Sequence, residues 1–269
     1  MASLVTHRHP FDEATPRAET DTFMDGLLMI DEHLFDRRLG RAARISYFVD
    51  EARTVDFVEL EREYMALKAT APRRTSSYLE RNRVSRATQS LTRSEERLAA
   101  TLVTRGQPLM LPDQTLVTPI DFQVPLKAIQ ANSRVGKIDM LGVSDRLVPT
   151  ELKTGGSRDT PLAALLEVLS YAAILEANYD RIVYDCRKWD LRPPYPRPGL
   201  LVLADSSYWQ YWDFTPAATG WRSALIEFMT GVAQTIGLST WLLALPEDWE
   251  TLPPGPVQLT DALADQTGK

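Results

Sequence analysis

The sequence has little cysteine and no long apolar run, and both absences restrict what the protein can be. Its single cysteine, Cys186, excludes a disulfide within the chain and a four-cysteine iron–sulfur cluster. No apolar run approaches the roughly 18 to 20 residues of a membrane span, and residues 1–10 lack the apolar centre of a signal peptide. With 44% hydrophobic and 25% charged residues, the composition is that of an ordinary globular protein. We therefore predict a cytoplasmic protein without a membrane partner.

The sequence also lacks the net positive charge that is typical of proteins that coat nucleic acid. Its net charge is −6 and its pI is near 5.2, whereas phosphate binding is driven by Lys and Arg side chains that displace counterions. The segment from Lys68 to Arg105 is an exception, with nine basic and three acidic residues. This Arg-rich segment is typical of an element that follows the phosphates of a nucleic acid. The alternative is a solvated helix face or a linker.

The centre of the chain has the pattern of a β-hairpin. Two runs rich in Val, Ile and Leu, 136–143 and 147–153, are separated by the polar turn Ser144-Asp145-Arg146. Side chains alternate between the two faces of a strand, so Glu151 and Lys153 point the same way while Leu152 points into the opposite layer. Charged side chains on an apolar strand are costly unless they are paired or bind a metal. The pattern therefore predicts a site on this hairpin.

Carboxylates on both strands of the hairpin predict a site for a hard divalent cation. Mg²⁺ takes oxygen ligands and usually keeps several waters, so a few protein ligands are enough. Asp139 and Glu151 can supply carboxylates, and the backbone carbonyl of Leu152 can supply a third oxygen. Such an ion would bind a scissile phosphate, and Lys153 would orient or deprotonate a water beside it. The alternative is a cross-strand ion pair between Asp139 and Lys153.

These residues resemble a known signature. Asp139, Glu151 and Lys153 are similar to the Asp…(Asp/Glu)-x-Lys motif of the PD-(D/E)XK nuclease superfamily. The trailing Thr154-Gly155 resembles the superfamily's RecB-like branch, whose second motif commonly reads Asp-Tyr-Lys-Thr-Gly. The resemblance covers about residues 95–205, and Ile138 replaces the proline of the nominal motif. It implies an α/β fold with a restriction-endonuclease-like core, in which a central mixed β-sheet is flanked by helices.

The resemblance also implies further site residues. A helix after the hairpin often carries Gln-x-x-x-Tyr in this branch, and Glu167 and Tyr171 have that spacing with Glu in place of Gln. Gln123 lies where the branch often has a Glu that points toward the metal. The alternative to a site role is that Tyr171 packs at the rim of the helix and that Glu167 is exposed to solvent. In this branch a helix before the sheet can contribute an acidic residue to the site, and Glu95 or Glu96 would be that residue here. The alternative is that both carboxylates only stabilise the positive end of the helix dipole at the N-terminus.

The remaining patterns predict the organisation of the chain. Residues 1–93 are predicted to form an N-terminal helical region that includes much of the Arg-rich segment. The spacing of apolar residues indicates helices from Asp21 to about Leu67. Asp21 or Asp56 is a suitable N-cap. Residues 94–245 hold the nuclease-like core and a C-terminal helix from Thr215 to about Leu245. Strands are predicted at 116–126, 200–204 and 208–212. Residues 246–269 are predicted to be a flexible tail.

Together these features predict a metal-dependent nuclease that hydrolyses phosphodiester bonds with Mg²⁺ or Mn²⁺, either as an endonuclease or as an exonuclease. Nucleic acid is the expected partner, with DNA as the expected kind, and a protein partner is allowed by the acidic pI. Two alternatives follow from the same residues. A fold does not guarantee chemistry, so the chain could be a non-catalytic nucleic-acid-binding or assembly subunit. It could also be a defence or restriction effector that acts with a partner.

Overall fold

The computed structural model describes residues 40–74, 76–79, 93–126, 136–213 and 220–264. These residues form an α/β fold with a mixed β-sheet, as predicted, and they contain seven α-helices and eight strands. The helices are α1 (Arg41–Thr54), α2 (Phe57–Thr70), α3 (Ser94–Arg105), α4 (Pro161–Ala177), α5 (Tyr179–Cys186), α6 (Ser206–Asp213) and α7 (Trp221–Thr235). The strands are β1 (Leu109–Met110), β2 (Leu116–Pro125), β3 (Lys137–Val143), β4 (Leu147–Lys153), β5 (Leu200–Ala204), β6 (Thr240–Ala244), β7 (Val257–Gln258) and β8 (Thr260–Asp261).

The sheet is built around the predicted hairpin. Its strand order is β7-β1-β2-β3-β4-β5-β6-β8; β5 runs parallel to both β4 and β6, and β1 runs parallel to β7. β3 and β4 are antiparallel and joined by a tight turn in which Ser144 N donates to Arg146 O at 2.9 Å. The predictions of the hairpin and of strands β2 and β5 are therefore confirmed.

Helix α4 covers one face of the sheet because almost its whole circumference is apolar. Its first turn is fixed by Thr160, whose side chain accepts a hydrogen bond from Ala163 N at 3.1 Å, and by Pro161, which lacks the N–H that would have no partner there. The helix packs on β4 and β5. On the opposite face, α3 packs on β2, β3 and β4. The end of β4 is thus enclosed between two helices.

The N-terminal helices belong to the same core as the sheet. Asp56 caps α2 by accepting from Val58 N and Glu59 N, as the sequence predicts, and the helix stops before the Ala71-Pro72 break. α1 packs on α7, and α2 packs on α4. Their buried side chains Ile45 and Phe48 share one cluster with those of α4. Asp21, and Arg81, Arg83 and Arg86 of the Arg-rich segment, lie outside the described residues.

Two predictions of local structure are wrong. Residues 208–212, predicted as a strand, belong to helix α6, because Tyr208 and Trp212 are buried one helical turn apart and Asp205 accepts from Tyr208 N at the helix start. The long C-terminal helix ends at Thr235 and does not reach Leu245. The break follows at Gly237, whose φ of 77° is easily adopted only by glycine. Strand β6 then occupies Thr240–Ala244.

The predicted flexible tail is also wrong over residues 246–264, which the structure describes. β7 pairs with β1 at one edge of the sheet, and β8 pairs with β6 at the other edge. Trp249 is buried in the cluster that contains α3. Short strands of two residues leave almost no periodic pattern, so composition alone misjudges such a segment.

Within the described ranges, no single helix has both the length and the apolar character of a membrane span. Only α4 and α5 taken together reach those limits, and the pair is bent by 85° at its junction.

Candidate functional site

The two strands of the hairpin separate at the end that carries the predicted site. Their ladder runs from Val143 opposite Leu147 to Met140 opposite Thr150 and stops there. Asp139 lies beyond the last pair, and its Oδ2 accepts a hydrogen bond from Leu152 N at 3.0 Å. A strand residue directs its N–H and C=O to the same side. The carbonyl of Leu152 therefore faces the same gap between the strands as the Asp139 carboxylate.

Asp139 and Glu151 lie on the same face of the sheet. Asp139 alternates in phase with Leu141, and Glu151 alternates in phase with Leu147; both leucines belong to the core cluster that contains α4. The Asp139 charge is close enough to contribute to a raised pKa of Glu151. The structure thus brings together the two carboxylates that the sequence nominates.

Lys153 lies among carboxylates and is only 4% exposed. Its Nζ is 2.8 Å from Glu151 Oε1, 3.2 Å from Asp159 Oδ2 and 3.8 Å from Glu167 Oε2. The alternative prediction was an ion pair between Asp139 and Lys153. In the structure, Lys153 instead pairs with Glu151, Asp159 and Glu167. Burial acts to lower the pKa of Lys153, but the surrounding carboxylates outweigh it and raise the pKa. Lys153 therefore remains an ammonium at neutral pH, which favours orientation and charge stabilisation over proton abstraction.

Among the described residues, none donates a hydrogen bond to the second carboxylate oxygen of Glu151. Glu151 is 4% exposed, Oε1 is held by Lys153, and Oε2 is buried without a partner. Burial, followed by the charges of Asp139 and Glu167, raises the pKa of Glu151 well above its usual value. A buried carboxylate oxygen without a donor is costly. A divalent cation between Asp139 and Glu151 would offset that cost, so the residues present fit a metal.

The pKa of Asp139 is raised as well, to about 6. Burial is the main cause, and the hydrogen bond from Leu152 N and the charge of Lys153 act in the opposite direction. The charges of Glu167 and Glu95 raise it further. Of the two acidic residues that the sequence nominates on α3, Glu95 is thus electrostatically coupled to the site. Glu96 instead lies 4.0 Å from Arg93.

Helix α4 supplies Glu167 and Tyr171 from one face. The hydroxyl of Tyr171 donates to Glu167 Oε1 at 2.7 Å, while Glu167 Oε2 faces Lys153. Tyr171 is only 2% exposed, so it does not lie at the helix rim as the alternative predicts. It packs against Gly136, where an added Cβ would lie 3.0 Å from the tyrosine hydroxyl. This close approach accounts for the glycine at the start of the motif.

Gln123 reaches the site from β2. Its Nε2 donates to Asp139 Oδ1 at 3.2 Å, so both oxygens of Asp139 accept hydrogen bonds. The backbone of Gln123 has φ of 50°, a left-handed conformation that costs a non-glycine residue on the order of 1 to 2 kcal/mol. The register of β2 against β3 also shifts between Pro119 and Asp121. Strain retained beside a cluster of charged groups is typical of functional sites.

Sequence reasoning missed three residues of the site. Asp159, in the loop before α4, is a partner of Lys153, and Tyr208 of α6 donates its hydroxyl to Asp159 O at 2.8 Å. Asp205 Oδ2 accepts from Gly155 N at 3.1 Å and so holds the turn that follows β4. In sequence, Asp159 does not differ from other acidic residues that precede a helix. Because residues 208–212 were predicted as a strand, Tyr208 was not expected to reach the loop before α4. No pattern in the sequence singles out these residues.

A metal at this site would rely on two carboxylates. Among the residues that the structure describes, no group of three or more His, Cys, Asp or Glu side chains has an arrangement that could hold an ion. Comparison with protein-family models, with curated proteins and with solved structures finds no match for the chain. The function must therefore be inferred from the residues of the site.

Proposed function

We propose that the protein is a metal-dependent nuclease with a restriction-endonuclease-like core, which hydrolyses phosphodiester bonds of nucleic acid in the cytoplasm. One observation carries this proposal: the buried, donor-free Oε2 of Glu151 lies in the same charged cluster as Asp139 and Lys153. A core ion pair would require one acid and one base. The excess of buried negative charge is what a cation site needs before its ion binds.

Each residue has a specific role in this proposal. The carboxylates of Asp139 and Glu151 and the carbonyl of Leu152 would hold Mg²⁺ or Mn²⁺, which would polarise the phosphodiester and lower the pKa of a water. Lys153, kept charged by its neighbours, donates hydrogen bonds to the attacking water or to a phosphoryl oxygen. Glu167, fixed by Tyr171, restrains the ammonium from the helix side.

A second group of contacts holds the site in shape. Gln123 and the N–H of Leu152 each bond one oxygen of Asp139 and thereby fix the carboxylate plane. Asp159 is held through its own carbonyl by Tyr208 and limits the movement of the Lys153 side chain. Such fixed groups stabilise developing charge without reorganising during the reaction.

The proposal is tested by cleavage of linear, circular and single-stranded substrates, both DNA and RNA, with Mg²⁺, with Mn²⁺ and with EDTA. The parent is compared with Asp139→Asn and with the control Asp145→Asn, which removes an exposed carboxylate from the turn of the same hairpin. We expect metal-dependent cutting by the parent and the control only. Cutting that persists in EDTA or in Asp139→Asn contradicts the proposal.

A non-catalytic nucleic-acid-binding or assembly subunit is the second candidate. It is favoured by the engagement of Glu151 Oε1 with Lys153 and by the two-carboxylate site, because further acidic ligands would strengthen metal binding. Oligonucleotide binding without cleavage of any substrate would support it. A defence or restriction effector that requires a protein partner would instead cut only after that partner is added.

A further inference from the structure

A cluster of guanidinium groups surrounds one aromatic ring beside the candidate site. The Cζ of Arg41 lies 3.8 Å from the centroid of the Tyr211 ring, and the Cζ of Arg158 lies 4.5 Å from it. Arg44 lies farther away, at 5.8 Å. The three arginines come from α1 and from the loop between β4 and α4, more than a hundred residues apart. The fold therefore concentrates positive charge at one point of an acidic protein.

Arg44 is buried at the base of this cluster, and among the described residues no acid compensates its charge. It is 4% exposed, and its two Nη atoms donate to Arg158 O at 2.5 Å and to Tyr211 Oη at 2.6 Å. Its Nε is buried without a partner, and no carboxylate of the described ranges forms an ion pair with it. Buried charge of one sign is expensive unless a counter-ion is near. The arrangement is one that a bound anion would stabilise.

The cluster adjoins the candidate site through two short links. Arg158 immediately precedes Asp159, whose carboxylate contacts Lys153 at 3.2 Å. Tyr211 is on the same helix as Tyr208, which donates to Asp159 O. Arg158 is exposed and Arg41 is half-buried, so solvent reaches the outer side of the cluster. An anion that binds there would lie next to any phosphate held at the site.

We propose that Arg41 and Arg158, arranged around Tyr211, bind a backbone phosphate of the nucleic-acid strand that neighbours the phosphate at the candidate site. The inference deepens the proposed function and rests on it. Guanidinium groups present planar, paired donors that match phosphate oxygens. Both guanidinium groups contact the same ring, so they lie near one another at one point of the surface. A strand is favoured over a free phosphate ion because the cluster continues directly into the site.

Three basic residues of the Arg-rich segment are already engaged in contacts within the fold. Lys68 forms an ion pair with Glu176 at 2.6 Å, and Arg74 donates to Pro125 O at 2.9 Å. Arg105 donates to Glu250 O and Leu252 O. These basic residues hold the fold together. Arg158 also donates, to Gly155 O at 3.3 Å and to Ser157 O at 3.5 Å, but these bonds lie within its own loop, which leads directly to Asp159 of the site.

The test is a double variant, Arg41→Gln with Arg158→Gln, compared with the control Arg53→Gln with Arg62→Gln. The control removes two exposed arginines from α1 and α2, so both variants lose the same net charge. Binding of fluorescein-labelled single-stranded and duplex oligonucleotides is measured by anisotropy in EDTA over a salt series. Thermal unfolding checks that both variants are folded.

We expect the Arg41/Arg158 variant to bind roughly 10-fold more weakly at low salt, with a salt dependence flatter by about 0.7 to 0.9 for each phosphate that the variant no longer neutralises. The control should retain the parent's affinity and slope. With cleavable substrate, KM should rise more than kcat falls. If the parent binds but cuts nothing, the same weakening of binding supports this inference while the nuclease proposal fails.

Three results overturn the inference. One is an unchanged affinity and slope in the Arg41/Arg158 variant, even if the parent is an active nuclease. Another is an equal loss of affinity in the Arg53/Arg62 control, which would show that the effect arises from the change in net charge alone. The third is a parent that binds neither oligonucleotide at low salt.

Discussion

Lys153 Nζ lies 2.8 Å from Oε1 of Glu151, which precedes it by two positions on the same face of β4. The ammonium and a metal would therefore share one carboxylate, each using a different oxygen. This arrangement gives Lys153 two opposing effects. It stabilises the buried acids when no metal is bound, and its charge repels a cation that enters the site.

Replacement of Lys153 separates these effects. Lys153→Met keeps most of the side-chain volume but removes the positive charge, so Mg²⁺ affinity should hold or rise. Cleavage should fall by something like 10² to 10⁴, the usual contribution of a positioned acid, base or charge stabiliser. Glu151→Ala or Asp139→Ala should instead lower both affinity and cleavage. Calorimetric Mg²⁺ titration and a plasmid-cutting assay measure the two quantities.

Lys68→Met is the matched control, because Lys68 also pairs with a glutamate, Glu176, but on the far side of α4. It should leave Mg²⁺ affinity and cleavage unchanged. A Lys153→Met protein that cuts as fast as the parent would show that Lys153 has only a structural role as an ion pair.

Protonation of Asp139 should link stability to pH. Its pKa is raised to about 6, so the folded state holds the proton more tightly than the unfolded state does. The group's stabilising contribution is present below its unfolded pKa and is lost as the pH rises through 6. In EDTA at pH 7, Asp139→Asn should therefore unfold with a free energy about 1 to 3 kcal/mol higher than the parent. At pH 4 the two should be nearly equal.

The structure allows this substitution while keeping both hydrogen bonds of the side chain. The remaining oxygen of Asn can accept from Leu152 N, and the amide of Gln123 can rotate to accept from the new NH₂ group. Urea unfolding at both pH values measures the effect. Lower stability of Asp139→Asn at pH 7 contradicts a raised pKa.

The hairpin and α4 could be predicted because local chemistry determines them. A polar turn between two apolar runs specifies β3 and β4, and the period of two then fixes that Glu151 and Lys153 share a face. Thr160-Pro161 marks the start of α4 by its capping chemistry alone. The backbone geometry that carries the candidate site was thus predictable from residues within a few positions of one another.

The remaining parts depend on contacts that no local pattern encodes. Tyr208 and Trp212 would share a face in a strand and are also one helical turn apart, and packing on the core decides in favour of α6. Strands β7 and β8 have two residues each, and they form because the edge strands β1 and β6 have backbone groups that can pair with them. The cluster around Tyr211 joins α1 to a loop beyond residue 150. Tertiary structure alone brings such residues together.

The backbone of Gln123 leads to a third prediction. Gln123→Gly and Gln123→Ala both remove the amide that bonds Asp139, but only Gly relieves the φ of 50°. The Gly variant should therefore be about 1 kcal/mol more stable than the Ala variant.

At Thr118 of the same strand, where φ is not positive, the order should reverse, because Gly costs roughly 0.5 to 1 kcal/mol relative to Ala in a strand. Guanidinium unfolding of the four variants measures both differences. An Ala variant at least as stable as Gly at position 123 would contradict the strain.

The contact between Gly136 and Tyr171 leads to the last prediction. An added Cβ at Gly136 would lie 3.0 Å from Tyr171 Oη and 3.3 Å from its Cε1, closer than such atoms normally pack. Gly136→Ala should therefore displace the buried ring and lower the free energy of unfolding by about 1 to 3 kcal/mol. Because the ring holds Glu167, cleavage should fall as well.

Tyr171→Phe removes the hydroxyl that the new methyl group would meet, so Gly136→Ala should cost less in the Phe background. A double-mutant cycle in urea should give a coupling energy of about 0.5 kcal/mol or more. Gly156→Ala is the control, because a Cβ there meets nothing within 4 Å, and its effect should stay within about 0.5 kcal/mol. If Gly136→Ala costs the same in both backgrounds, the glycine is not required by the tyrosine hydroxyl, and its small size must serve some other contact of the hairpin.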